Sequence, residues 1–141
     1  NLQRAEWDTL IFFYGIILCV GGLGAFGYLA MISEFMYIDL GATTANIIVG
    51  FASALVDNIP VMFAVLQMGP EMNTGQWLLV TLTAGVGGSM LSIGSAAGVA
   101  VMGQARGVYT FFSHLKWSWA ILLGYFASVA THFFVNSGAF V

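Results

Sequence analysis

Long apolar stretches separated by short polar turns dominate the chain. They extend over residues 10–29, 42–68, 77–105 and 117–135, and the first contains no charged residue. About 20 residues of helix cross a hydrocarbon core about 30 Å thick, so we expect spanning helices over 10–29 and 117–135. The more polar residues 31–40 are expected to form an interfacial connector. This pattern predicts an all-α membrane protein.

The second stretch is interrupted in its middle by Asp57, Asn58 and Pro60. Proline removes a backbone donor and disfavours helix at the residue before it. We therefore predict a re-entrant helical hairpin over 42–68 with its tip at 57–60, because the return arm is too short to span the bilayer alone. Non-helical backbone at that depth is tolerated only against protein or a wet cavity.

The third stretch is interrupted by glycine and serine. Residues 85–95 read Gly-Val-Gly-Gly-Ser-Met-Leu-Ser-Ile-Gly-Ser, a composition of low helix propensity. We predict that 77–105 is a broken span, in which two half-helices flank an unwound loop that offers carbonyl and hydroxyl oxygens. The alternative is that the run is a close-packing surface for a neighbouring helix.

Composition makes lipid the main solvent of this chain. Hydrophobic residues account for 60% of the 141 residues and charged residues for 6%, whereas a soluble domain carries roughly 25% charged residues. A surface so poor in charge would not stay soluble as a monomer. The lipid bilayer is therefore an expected partner, and no nucleic-acid partner is expected. No phosphate loop, zinc-ligand spacing or nucleophile–base pair supports an enzyme, and a first residue other than methionine favours a fragment.

The few charges indicate an orientation. If 42–68 is a hairpin, the three basic residues, Arg4, Arg106 and Lys116, fall on one side of the membrane. The positive-inside rule then places Arg4 and the 106–116 loop in the cytoplasm. We therefore expect a multi-pass protein of the cytoplasmic (inner) membrane whose hairpin opens to the outside.

Asp57 is the strongest candidate for chemistry. An acid at the bilayer centre costs at least about 2.5 kcal/mol by insertion scales, which makes it a functional hypothesis by default. Asn58 adds an amide oxygen, and carboxylate, amide and carbonyl oxygens suit a small hard cation. The alternative for Asp57 is a structural cap that accepts backbone N–H groups at the hairpin tip. His132, in the last span, is interpreted as a hydrogen-bonded bundle residue, with a proton relay as the alternative.

A single buried carboxylate suggests an exchange mechanism. Burial favours its neutral form and a bound cation favours its charged form, so proton and cation compete for Asp57. A site that carries one or the other across the membrane by alternating access is an exchanger. No cofactor is needed for this, because the cation and the proton are the cargo.

Five segments of the sequence resemble NhaD-type sodium/proton antiporters, and together they cover essentially the whole chain. They are 53–62 around Asp57, 87–99 in the broken span, 102–107, 114–117 and 7–13. The family lies in an ion-transporter superfamily that includes arsenite permeases and divalent-anion/sodium symporters. The resemblance implies two inverted repeats, each with a hairpin and a broken helix.

On this resemblance residues 1–141 correspond to the second, C-terminal repeat, which would need the missing N-terminal repeat in order to transport. It also implies a homodimer formed through separate scaffold helices. The resemblance also implies which residues contact sodium or the proton-exchanging site. These residues are Asp57, Asn58, Gly88, Ser89, Gly94 and Ser95.

The function expected from the resemblance is antiport of sodium or lithium against protons. The alternative within the superfamily is a sodium- or proton-coupled transporter of anions or organic acids. An anionic substrate would prefer helix N-termini and neutral donors, so Asp57 weighs against it. A third class, a non-transporting membrane scaffold, would need no acid at this depth.

Overall fold

The computed structural model of the chain describes residues 7–140, so the predicted cytoplasmic position of Arg4 lies outside the described residues. The prediction of an all-α fold is confirmed, since residues 7–140 contain helices and no strand. The helices are α1 (Trp7–Ala25), α2 (Tyr28–Ser33), α3 (Ala42–Leu55), α4 (Asn58–Met68), α5 (Thr74–Gly87), α6 (Ala96–Gln104), α7 (Phe111–Leu115) and α8 (Ser118–Val135). A π-helical segment (Glu34–Asp39) continues α2, and a 3-10 turn (Ser137–Phe140) follows α8.

The first apolar helix ends earlier than the pattern predicts. It stops at Ala25 rather than at residue 29, because Gly27 adopts a left-handed conformation with φ +80° that side chains rarely take. The chain bends by 80° between 14–25 and 28–39. The expected connector 31–40 is therefore mostly helical, since it comprises the end of α2 and the π-helical segment.

The break in the second stretch is shorter than expected. Only Val56 and Asp57 separate α3 from α4, and Pro60 lies in the first turn of α4 rather than at a non-helical tip. The first backbone N–H groups of a helix have no intrahelical partner, so a proline in that turn removes no hydrogen bond. With 14 and 11 residues, neither helix alone reaches the roughly 20 residues needed to cross a bilayer.

The broken third stretch has longer flanking helices than the composition suggests. Helix α5 begins at Thr74 and continues through Gly85 to Gly87, and α6 begins at Ala96. The non-helical part is therefore residues 88–95, called the unwound loop below. In the described part of the chain, α8 is the one helix long and apolar enough to cross a membrane. The bent pair formed by 14–25 and 28–39 would provide a second span if its two halves cross the membrane together.

Helix α5 packs closely against α3. The Ser53 hydroxyl donates to the Ala84 carbonyl at 2.7 Å, and the Thr83 hydroxyl donates to the Asn46 carbonyl at 2.7 Å. A Cβ at Gly87 would overlap the carbonyl oxygen of Gly50, so only glycine allows this approach. Satisfying backbone and hydroxyl groups between helices matters here because hydrocarbon offers no water as a partner.

Helix α8 lies against the same pair. The buried Tyr125 hydroxyl donates to the Ile47 carbonyl at 2.8 Å. His132 Nε2 donates to the Gly75 carbonyl at 3.0 Å, and Nδ1 accepts from the Asn136 amide at 3.0 Å. Both ring nitrogens of His132 are therefore engaged in joining α8 to the start of α5 and to the end of its own helix, as the interpretation of a bundle residue requires.

The exterior of the molecule is strongly apolar. Phe26, Val108 and Phe134 are each more than 80% exposed, and many other large hydrophobic side chains lie on the surface. Two small buried clusters, one around Leu79 and Tyr125 and one around Val49, Val65 and Val80, form the interior. Such an exterior is suited to lipid or to further protein rather than to water.

Candidate ion-binding site

The C-terminal turn of α3 meets the unwound loop at Gly94. A Cβ on Gly94 would lie 2.6 Å from the Ala54 carbonyl oxygen, 2.6 Å from that of Gly88 and 2.7 Å from that of Ser53. Three backbone oxygens from two separate segments thus converge around one α-carbon. Gly88 is itself enclosed, because a Cβ there would lie 2.7 Å from the Gly94 carbonyl oxygen. We call Ser53, Ala54, Gly88 and Gly94 the carbonyl junction.

The carbonyl oxygens of the carbonyl junction have partial negative charge that no hydrogen-bond donor offsets within the described residues. Within residues 7–140, no hydrogen bond ends on the carbonyl oxygen of Ser53, Ala54 or Gly88. The last carbonyls of a helix lack intrahelical donors and form the negative end of its dipole. The ends of α3 and α5 therefore present partial negative charge to the same point, an arrangement that favours a cation.

Asp57 follows Ala54 by three residues, a path of at most about 11 Å. Its side chain is half-buried, and Oδ1 accepts from the Ile59 N–H at 3.2 Å. One carboxylate oxygen thus caps α4, as the structural alternative supposed. Among the described residues, no hydrogen bond ends on its second oxygen, Oδ2, which leaves that atom available to a ligand.

Within the described residues, no hydrogen bond joins Asn58 to the carbonyl junction. As the first residue of α4, it lines a groove of about 450 Å³ together with residues of α4 and with Thr81 and Gly85 of α5. The structure therefore brings Asn58 next to the flank of α5 rather than into hydrogen-bonding contact with the unwound loop.

The two predicted loop serines use their hydroxyls locally. Ser95 caps α6 by accepting from the Gly98 N–H at 3.1 Å, and Ser89 donates to the Val86 carbonyl at 2.6 Å at the end of α5. The structure thus brings Gly88 and Gly94 directly into the carbonyl junction, and it places these two serines at the helix ends that flank it.

Ser92, in the unwound loop, was not among the predicted site residues. Its side chain is 2% exposed, and in the described part of the chain its hydroxyl has no hydrogen-bond partner. Buried polar atoms are nearly always satisfied, so this hydroxyl in the unwound loop has the capacity to bind a partner such as water or an ion. The only signal in the sequence is membership of the glycine–serine run, which does not separate Ser92 from Ser89 or Ser95.

Comparison with known proteins assigns the chain to a family. The family model described as "Citrate transporter" (CitMHS) matches residues 1–85. The chain belongs to the CitMHS family. Members are transporters, which agrees with the expectation of a membrane protein that is not an enzyme.

Relatives of this CitMHS chain include proteins named as antiporters. It is 65% identical to the Na⁺/H⁺ antiporter NhaD of Alkalimonas amylolytica and 61% identical to that of Vibrio cholerae, over 99% of this chain and 29% of each relative. It is 37% identical to sodium/proton antiporter 1 of Arabidopsis thaliana, over 96% of this chain and 24% of that protein. These identities confirm the resemblance to NhaD-type antiporters. The chain spans less than a third of the length of these relatives, and no solved structure matches it.

Proposed function

We propose that this chain is part of a sodium/proton antiporter and that the carbonyl junction and Asp57 together bind a sodium ion or a proton in turn. The observation that carries the proposal is the convergence of the Ser53, Ala54 and Gly88 carbonyl oxygens at the end of the helix that leads to Asp57. None of these three oxygens accepts a hydrogen bond within residues 7–140. Carbonyl and carboxylate oxygens are the ligands that hard cations prefer. The names of the antiporter relatives indicate which ions are exchanged, namely sodium and protons.

Exchange follows from competition at one group. A cation at the carbonyl junction stabilises the carboxylate of Asp57, and a proton on Asp57 removes the negative charge that balances the cation. The orphaned hydroxyl of Ser92 and the predicted contacts Asn58, Ser89 and Ser95 are candidates for further oxygen ligands. Alternating access of this junction to the two sides of the membrane would couple sodium movement to proton movement, with no cofactor.

The arrangement of α3 and α4 supports a re-entrant hairpin within an inverted repeat. Both helices are too short to span alone, and α5 and α6 are likewise half-helices that flank a non-helical loop. Since the chain corresponds to 29% of its antiporter relatives, we propose that it acts as the C-terminal repeat beside an N-terminal repeat in a homodimer of the cytoplasmic membrane. Arg4 and the 106–116 loop then face the cytoplasm.

A coupled transporter of organic acids is the second candidate, because the family model is described as a citrate transporter. An anion would be attracted to the N-termini of α4 and α6. Those two helix ends are occupied by the side chains of Asp57 and Ser95, and the carboxylate would repel an anion. The charge at the site therefore favours a cation as the ligand.

The test is sodium-driven proton movement in inside-out membrane vesicles that contain the full-length protein carrying this sequence. A fluorescent amine reports the pH gradient after the interior has been acidified. Sodium or lithium should release protons, whereas citrate without sodium should not. Asp57→Asn should abolish the release, and because its amide oxygen can still accept from the Ile59 N–H, α4 keeps its cap.

Asp39→Asn is the matched control for this experiment. Asp39 is an exposed acid in the π-helical segment, so this variant loses the same charge outside the carbonyl junction and should exchange like the wild type. Exchange by Asp57→Asn at the wild-type rate and stoichiometry would refute the proposal. Release of protons only when citrate accompanies sodium would support the organic-acid transporter instead.

A further inference from the structure

His114, in α7, contacts the unwound loop from outside the carbonyl junction. Its Nε2 lies 2.9 Å from the carbonyl oxygen of Ser89, a residue 25 positions earlier in the chain. A carbonyl oxygen can only accept, so Nε2 must carry the hydrogen and donate. In the neutral ring Nδ1 is then an acceptor.

The second ring nitrogen of His114 is engaged as well. The hydroxyl of Tyr109 forms a hydrogen bond with Nδ1, and the two rings meet edge to face with their centroids 5.8 Å apart. When the phenol donates to Nδ1, the hydrogen of the neutral imidazole is left on Nε2. Tyr109 thus fixes both the orientation of the ring and the tautomer that Ser89 requires.

The next carbonyl of the loop is held from the same side. The hydroxyl of Ser118, at the start of α8, donates to the Met90 carbonyl at 2.6 Å. Two consecutive carbonyl groups of a glycine-rich loop are therefore held by hydrogen bonds, one from α7 and one from the first residue of α8. Glycine-rich backbone loses much conformational entropy on ordering, so external hydrogen bonds of this kind are needed to hold it in one conformation.

We propose that His114, oriented by Tyr109, is a positioning residue that sets the sodium affinity of the carbonyl junction. Gly88 O and Ser89 O belong to adjacent peptide planes, so holding the Ser89 carbonyl limits rotation of the Gly88 carbonyl toward and away from the cation. His114 does not contact the ion and acts through the backbone. The inference rests on the proposed function, since it assigns a role in that same site.

The experiment measures the sodium dependence of proton release by the full-length protein in inside-out vesicles. His114→Leu removes the donor, while His114→Gln retains an amide N–H near the position of Nε2. Loss of one hydrogen bond should raise the apparent KM for sodium in His114→Leu by roughly three- to tenfold, with the maximal rate little changed. His114→Gln should stay close to the wild-type KM, and Tyr109→Phe should fall between the two.

Ser113→Ala is the matched control, because Ser113 forms a capping box with Thr110 at the start of α7 but does not contact the unwound loop. It removes a capping hydrogen bond and leaves both hydrogen bonds of His114 in place, so the KM should stay unchanged. Equal KM values for His114→Leu and His114→Gln, or the same rise in Ser113→Ala, would overturn the inference. If His114→Leu does not accumulate in the membrane, Tyr109→Phe takes its place in the test. A wild-type KM in Tyr109→Phe would then overturn the inference.

The inference and the proposed function fail in different ways. If the wild-type protein releases no protons on addition of sodium, both are wrong. If the wild type exchanges and Asp57→Asn does not, while His114→Leu keeps the wild-type KM, the antiporter stands and only the role of His114 is refuted.

Discussion

Replacement of Gly94 by alanine tests whether the close approach of α3 and the unwound loop forms the binding site. The added methyl carbon would lie 2.6–2.7 Å from three backbone oxygens, whereas ordinary contact begins at 3.4 Å. Each oxygen would therefore have to retreat by about 0.7–0.8 Å, and none belongs to a flexible side chain. Overpacking of this kind costs about 1–3 kcal/mol, which corresponds to roughly 5- to 150-fold in an equilibrium constant.

We expect Gly94→Ala to raise the apparent KM for sodium at least about fivefold, because the strain falls on the same carbonyls that are proposed to hold the ion. The assay is sodium-dependent proton release in vesicles, with the unfolding temperature in detergent measured alongside. Gly103→Ala is the matched control, since Gly103 lies in α6 with no atom within 4 Å of its added methyl group. A KM within twofold of the wild type and an unchanged unfolding temperature for Gly94→Ala would refute the reasoning.

Two further variants separate ligand binding from stability. Ser92→Ala removes a buried hydroxyl that has no partner among the described residues. It should raise the KM for sodium and leave the unfolding temperature unchanged or higher. A lower unfolding temperature would contradict the assignment of Ser92 as an ion ligand. Asn46→Leu should lower stability by about 1–3 kcal/mol, because the buried Asn46 donates to the Gln76 carbonyl at 3.0 Å and accepts from Tyr37 at 3.2 Å. Thermal unfolding in detergent measures this effect, and the exposed Gln67→Leu should show none of it.

The positions of the helices follow largely from the apolar stretches, because helix length and hydrophobicity are local properties. The break at Asp57 and the non-helical loop within 85–95 were both indicated by residues that disfavour helix. The bend at Gly27 could not be singled out, since the first stretch contains several glycines and only φ distinguishes this one. Likewise, proline ends a helix in its interior but fits its first turn, so the pattern alone did not place Pro60.

The site was less predictable than the fold because its contacts join distant parts of the chain. Asp57 could be predicted because it is an acid among apolar residues. The approach of Ala54 to Gly94 could not, because it depends on how α3 packs against α5. Ser92 differs from its serine neighbours only in burial and missing partners. The bond from His114 to the loop is tertiary, and no periodicity in the sequence indicates it.

Ser53, Thr83 and Tyr125 tie three helices together through hydroxyl groups that donate to backbone carbonyls. In hydrocarbon no water can replace these partners. Under the proposed alternating access, we therefore expect α3, α5 and α8 to move as one rigid unit. The hinges of such a motion belong where the backbone is free of neighbours. Gly41 before α3 and Gly69 after α4 meet that condition, since both have positive φ and no atom within 4 Å of an added methyl group.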